Sequence, residues 1–155
     1  MKIRGFELVS EEHRKHPNLQ INLPQRGTAK SAGYDICTPV DIKIGPRECS
    51  DVIFTDIKSY MQEDEVLCTH VRSSIGMKKG LALANITGII DSDYYSNPGN
   101  DGNIGFKLRN LTDQEVVIQA GERVIQAIFT KYLISDDDCP KSQERLGGVG
   151  STGKK

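Results

Sequence analysis

Apolar and polar residues alternate with a period of two through most of this chain. The clearest runs are "DVIFTDI" (Asp51 to Ile57), "EVLCTHV" (Glu65 to Val71), "IGFKLRN" (Ile104 to Asn110), "EVVIQA" (Glu115 to Ala120) and "RVIQAIFTKY" (Arg123 to Tyr132). They are short and rich in β-branched residues, as half-buried strands are. Turn signals separate them: Ile44-Gly-Pro, Gln62-Glu-Asp, Asn110-Leu-Thr-Asp and Gln119-Ala-Gly-Glu. Strands at this spacing predict an all-β sandwich or barrel. Helical signal is confined to "SSIGMKKG" (Ser73 to Gly80), one or two turns with Ser73 or Ser74 as N-cap and Gly80 as stop. From Ser135 the chain turns polar and glycine-rich, "SDDDCPKSQERLGGVGSTGKK". The pattern predicts one domain over 1–134 and a flexible arm over 135–155.

Composition narrows the picture. A chain of 155 residues with 37% apolar residues has a modest core, which favours oligomerisation. The net charge of −1 argues against nucleic acid as the main partner. No stretch reaches the length of a membrane span, and "MKIRGFELVSEEHRKH" lacks the apolar centre of a secretory signal. Cys37, Cys49, Cys68 and Cys139 have no C-x-x-C spacing, so reduced thiols in the cytoplasm are the simplest expectation.

The candidate chemistry lies in three segments. In "GIIDSDYYSNPGNDG" (Gly88 to Gly102) an apolar strand runs into Asp91 and Asp93, two residues apart and so on one face if the strand continues. Paired carboxylates suit general-base work or metal binding; they also suit a turn that ends a strand. Tyr94 and Tyr95 would face opposite ways, one able to pack under a planar ligand, and the Ser-Asn-Pro-Gly-Asn-Asp that follows reads as a loose, exposed loop. In "HVRSSIGMKKG", Arg72, Ser73 and Ser74 stand at a strand-to-helix junction, where an anion would find hydroxyls, a guanidinium and free N–H groups; an N-cap beside a surface arginine is the plainer alternative. "GVGSTGKK" (Gly148 to Lys155) imitates a P-loop, but Lys155 stands where Ser or Thr is needed and no helix can follow. Its glycines would instead let the backbone wrap a ligand, with Arg145, Ser151 and Thr152 as donors. His13, His16 and His70 show no metal-ligand spacing.

In order along the chain, "SAGYDI" (Ser31 to Ile36), "RSSIGM" (Arg72 to Met77), "NITGIIDSDYY" (Asn85 to Tyr95), "GERVIQAIF" (Gly121 to Phe129) and "ERLGGVGSTG" (Glu144 to Gly153) resemble the five motifs of the trimeric deoxyuridine triphosphatases. The resemblance implies a jelly-roll-like β-barrel, assembled as a homotrimer with composite active sites. It implies Mg²⁺-dependent hydrolysis of dUTP to dUMP and pyrophosphate by in-line attack of water at the α-phosphorus. That reaction limits uracil incorporation into DNA and supplies dUMP for thymidylate synthesis. Asp91 would hold the attacking water, and Tyr94 would pack under the deoxyribose and exclude a 2′-hydroxyl. Asn85 and the backbone at Gly88 would read the uracil edge. Arg72, Ser73, Ser74 and Gln126 would hold the α- and β-phosphates. Arg145, Gly150, Ser151 and Thr152 would close over the γ-phosphate. Asp35 would support the metal-bound waters, Mg²⁺ itself sitting on triphosphate oxygens and water, and Arg123 would be an internal partner for a carboxylate.

The sequence departs from the family in three places. Tyr95-Ser-Asn-Pro-Gly-Asn-Asp is longer than the usual turn of the third motif and is expected at the site mouth, outside the chemistry. Val149 stands where the fifth motif usually has a phenylalanine stacked on uracil. Only Leu146 separates Arg145 from Gly147, which shifts the register of the arginine. Two rival functions follow from the same motifs. A deoxycytidine triphosphate deaminase would need a glutamate on "IGFKLRN", where Lys107 or a neighbour stands and no acid is present. A protein-binding regulator of the phage type would use the inserted residues 95–101.

Overall fold

In the computed structural model, residues 1–142, 145 and 147–149 are described. Almost all regular structure is strand. In chain order the strands are β1 (Gly5–Leu8), β2 (Gln25–Arg26), β3 (Tyr34–Cys37), β4 (Ile42–Ile44), β5 (Ile53–Phe54), β6 (Ile57–Tyr60) and β7 (Glu65–Val71). They continue as β8 (Leu81–Leu83), β9 (Gly88–Asp91), β10 (Gly105–Phe106), β11 (Leu108–Asn110), β12 (Val116–Ile118) and β13 (Arg123–Lys131). Helical turns are limited to Glu11–His13, Ser74–Lys78 and Ser92–Tyr94 among the described residues.

The largest sheet has five strands in the order β2-β3-β13-β7-β9, all antiparallel. The remaining ladders are pairs: β1 with β6, β5 with β10, β8 with β11, and β4 with β12. The expected all-β class therefore holds, but the ladders of the described residues do not close into a barrel. Along β7, Glu65, Leu67 and Thr69 are buried and the residues between them partly exposed, the period-two pattern of a strand with one face inward. Leu67 joins Ile36, Val124, Ile125 and Ala127 from β3 and β13 in one core with Ile42, Ile44, Leu81, Leu83, Leu108 and Ile118 from the paired ladders. Fully burying one such aliphatic side chain contributes about 1.5–3 kcal/mol.

Two predicted strands are each two. "DVIFTDI" breaks at Asp56, whose φ of 59° turns the chain through the left-handed region. That conformation is permitted because the fully buried Asp56 carboxylate accepts hydrogen bonds from the Lys15 and His16 N–H groups (2.8 and 2.7 Å) and from Asn103 Nδ2 (2.9 Å). "IGFKLRN" divides because β10 pairs with β5 whereas β11 pairs with β8. The strands expected over 65–71, 115–120 and 123–132 form as β7, β12 and β13. Ser74–Lys78 is a wide helical turn that starts after Ser73 and stops before Gly80, where φ is 66°. The described residues beyond Lys131 form neither strand nor helix.

Candidate functional site

The candidate residues fall into two groups, set by the length of β7. One group surrounds Asp35 on β3. The Asp35 carboxylate lies between two guanidinium groups: Arg72 Nε donates to Oδ1 at 2.8 Å and Arg123 Nη1 to Oδ2 at 3.1 Å. Arg72 is placed by the end of β7 and by its own N–H, which donates to Val124 O (3.0 Å). Ser73 and Ser74 follow in the helical turn; neither side chain caps it. Gln126 sits opposite Asp35 on β13. It crosses the backbone of Gly33, where a Cβ would meet Gln126 Oε1 at 2.5 Å, so the glycine of the first motif makes room for the glutamine of the fourth.

Two cavities border this group. One of about 630 Å³ is lined by Gln25, Arg26, Asp35, Cys37 and Arg123 among others. Burial pushes the Cys37 thiol above its ordinary range, so it stands there as a neutral thiol. The other cavity, about 360 Å³, is lined by Arg72, Ser74, Lys78, Lys79, Glu122 and Arg123, four cations with one acid. Lys79 pairs with Glu122 at 3.3 Å. In the sequence "MKKG" signals only the end of a helix, so the place of Lys78 and Lys79 in this lining is visible only once the turn after Arg-Ser-Ser folds.

The second group lies at the other end of β7. Strand β9 runs antiparallel to it, with Gly88 opposite Thr69 and Asp91 opposite Val66. A Cβ on Gly88 would meet Thr69 Oγ1 at 2.2 Å, so the strand approaches this closely only as glycine. Asn85 is exposed in the loop before β9, beside Ile86, a β-branched residue held at a φ of 68°. Such an outlier is uncommon and costs about 1–3 kcal/mol, and it tends to occur where a loop has to present its neighbours in one arrangement.

Asp91 ends β9, and Ser92–Tyr94 forms a 3-10 turn. Of the two readings of Asp91 and Asp93, the turn that ends a strand is the one that forms. The two carboxylates converge through the turn, and Arg145 bridges them, donating from Nε to Asp93 Oδ1 at 2.7 Å and from Nη2 to Asp91 Oδ2. The same guanidinium stands 5.8 Å above the Tyr94 ring. Arg145 is thus with the carboxylates of its own chain, not with the Asp35 group. Val149 is exposed; Gly150, Ser151 and Thr152 lie outside the described residues.

The inserted segment departs from the exposed loop expected there. It is neither loose nor fully exposed: Asn97, Asp101 and Asn103 are buried. Asn97 Nδ2 donates to Tyr94 O (2.7 Å), and Asn97 Oδ1 accepts from the Gly99 and Asn100 N–H groups (3.0 and 3.2 Å). Asp101 accepts from the Ser10 N–H at 2.7 Å and pairs with Lys58 at 2.9 Å. Tyr95 turns away from Tyr94 and donates to Glu7 at 2.7 Å. Burial pushes the Tyr94 phenol above its ordinary range, against the hydrogen bond from Asn100.

The two groups do not meet within one chain. Six residues of extended strand separate Val66, opposite Asp91, from Arg72, which is about 20 Å at 3.4 Å per residue. Among the described residues no cluster of three or more His, Cys, Asp or Glu side chains is arranged to hold a metal ion. A hard cation would fit this site only on oxygens of a bound polyphosphate and water, because both Asp35 oxygens are already engaged by arginines.

A family model of dUTPase matches residues 20–153. The deoxyuridine 5′-triphosphate nucleotidohydrolase of Lactococcus lactis is 49% identical over 154 residues, 99% of each chain. The crystal structure of dUTPase from Streptococcus mutans is 45% identical and superposes with a TM-score of 0.72, covering 85% of this chain and 98% of that one. A mutant dUTPase of Staphylococcus aureus phage phi11, described as coordinating a structural Mg(II) ion, shares the fold at 20% identity and a TM-score of 0.69, covering 91% and 98%.

Proposed function

This chain belongs to the dUTPase family, and on that premise we propose how its residues divide the work of the reaction. The reaction is hydrolysis of dUTP to dUMP and pyrophosphate. A new bond forms between a water oxygen and the α-phosphorus, the bond from the α-phosphorus to the bridging oxygen breaks, and pyrophosphate departs. Asp91 orients that water and accepts its proton. Protein groups otherwise supply position and charge, the larger part of phosphoryl-transfer catalysis. Asn85 and the backbone at Gly88 receive the uracil, and the Tyr94 ring receives the deoxyribose. Arg72, Ser73, Ser74 and Gln126 hold the α- and β-phosphates, with Asp35 fixing Arg72. Lys78 and Lys79 extend the same cationic wall. Mg²⁺ held on triphosphate oxygens and water would supply charge neutralisation.

The separation of the two groups carries the quaternary part of this reading. A phosphate held by Arg72 cannot lie beside Asp91 of the same chain about 20 Å away. The site is completed between copies, and a closed homotrimer gives three equal sites. Ile89, Leu133 and Ile134 support association: they are 57%, 97% and 71% exposed in the single chain. Arg145 leaves Asp91 when substrate arrives, drawn to the more highly charged γ-phosphate with Gly150, Ser151 and Thr152, and Val149 covers the base. The site of action is the cytoplasm, where the nucleotide pool lies and where Cys37, Cys49, Cys68 and Cys139 stay reduced. A protein-binding regulator acting through 95–101 is not favoured, since much of that segment is folded back onto Tyr94.

The test is pyrophosphate release from dUTP, dCTP, dTTP and UTP in Mg²⁺. Release from dUTP alone, lost in Asp91→Asn, is the expected result. Unchanged release by Asp91→Asn would remove Asp91 from the mechanism.

A further inference from the structure

The phenol of Tyr94 is held on both sides by the segment that follows it. Its hydroxyl donates to Asn103 O at 2.8 Å and accepts from Asn100 Nδ2 at 2.7 Å. Asn100 is itself fixed, because its Oδ1 accepts from Asn97 Nδ2 (2.8 Å) and from the Gly102 N–H (3.1 Å). The segment closes on itself at Gly102, where φ is 81° and a Cβ would lie 2.8 Å from Tyr94 O and 3.1 Å from Tyr95 Cα. Its far end is tied to the body of the protein through Asp101, Lys58 and Ser10. A tyrosine ring needs none of this to be buried. The hydroxyl contacts decide where its face stands and how far it can tilt.

We propose that Asn100 is a positioning residue for sugar selection, acting through the Tyr94 hydroxyl. The inference rests on the reading that the Tyr94 ring packs under the deoxyribose. Exclusion of a 2′-hydroxyl by a ring is steric, so it is only as sharp as the ring is immobile. A ring free to tilt admits the larger sugar. Residues 95–102 therefore serve discrimination between deoxyribose and ribose, without touching the nucleotide.

The test is the ratio of kcat/KM for dUTP over UTP in the full-length enzyme. Asn100→Asp keeps the acceptor oxygen that binds Gly102 and Asn97 but removes the amide donor to the phenol. Tyr94→Phe removes the phenol oxygen, and with it both this bond and the one to Asn103 O, and keeps the ring. One buried hydrogen bond lost from an ordered pair corresponds to about a three- to tenfold change. Asn100→Asp is expected to lower the ratio by that factor and Tyr94→Phe by at least as much, and the double variant by no more than Tyr94→Phe alone, since that variant already deletes the bond from Asn100. A wild-type ratio in either single variant, or losses that multiply in the double, would overturn the proposal. If Asn100→Asp does not fold, Asn100→Ala, which also lacks the amide donor, decides in its place. Tyr94→Leu separates the two levels. A ratio lowered there but not in Asn100→Asp overturns the role of Asn100 only. A ratio unchanged in Tyr94→Leu overturns the reading of Tyr94 and the inference with it.

Discussion

Asp35 is a small residue with two large partners, and that decides what it can do. With one oxygen on Arg72 and the other on Arg123, it holds the Arg72 guanidinium at the mouth of the cationic cavity. Charge-assisted bonds of this kind are worth about 1.5–3 kcal/mol when shielded, and the Arg123 side discounts that because its side chain is 54% exposed. Asp35→Asn is expected to raise KM for dUTP by about tenfold with a smaller change in kcat, measured by steady-state kinetics; an unchanged KM would show that Arg72 is held without it. Gly33 makes a comparable demand. Gly33→Ala puts a methyl against Gln126 Oε1 and Cβ, at 2.5 and 3.2 Å, and has to displace the glutamine. Activity should fall while the melting temperature shifts by only a few degrees, since the far end of Gln126 can move at little cost to the fold.

At the scale of elements, the segment after Tyr94 carries a pH-dependent anchor in Asp101. Burial pushes the Asp101 carboxyl up, and the Ser10 N–H together with the Lys58 ammonium more than offsets this, leaving it below the ordinary 3.8. A carboxylate with a depressed folded pKa contributes its stabilisation above the unfolded value and loses it as pH falls through the folded one. The segment is therefore anchored at neutral pH and loses this anchor only in acid, as pH falls below the ordinary carboxylate value and through the lower folded one. Asp101→Asn should lower the melting temperature at pH 7, with the difference from the wild type narrowing in acid as the Asp101 carboxylate is protonated. Equal stabilities at pH 7 would show that Lys58 and Ser10 do not anchor the segment. Serine, asparagine, proline, glycine and aspartate read as an exposed loop because each favours turns. The same asparagines close turns with their own side chains, which is what buries them here. Composition alone does not distinguish the two outcomes.

At the scale of the molecule, the split of the site predicts complementation between defective copies. Asp91→Asn and Arg72→Ala subunits should each be inactive as homotrimers. Mixed after dissociation and reassembly, random trimers would carry about one quarter of their sites with both residues intact. Activity recovered to about that level, with a sedimentation mass of three chains, supports sites shared between copies. No recovery from mixed trimers would put Asp91 and Arg72 of one chain in the same site.

What the sequence by itself determined is local. Alternation over 65–71 and 123–131 sets which side chains of β7 and β13 face inward, and those strands formed where the pattern put them. The five motifs pointed to the family that the comparisons show. The rest needed contacts between residues far apart in the chain. Asp35 meets Arg72 across 37 positions and Arg145 meets Asp93 across 52. The left-handed turn at Asp56, which splits one predicted strand, depends on Asn103, 47 positions on. Strand register, and with it the distance that keeps Arg72 from Asp91, is a property of which strands pair and where. Periodicity is written into each backbone stretch by its own side chains, whereas pairing and ion partners are chosen only when the whole chain packs.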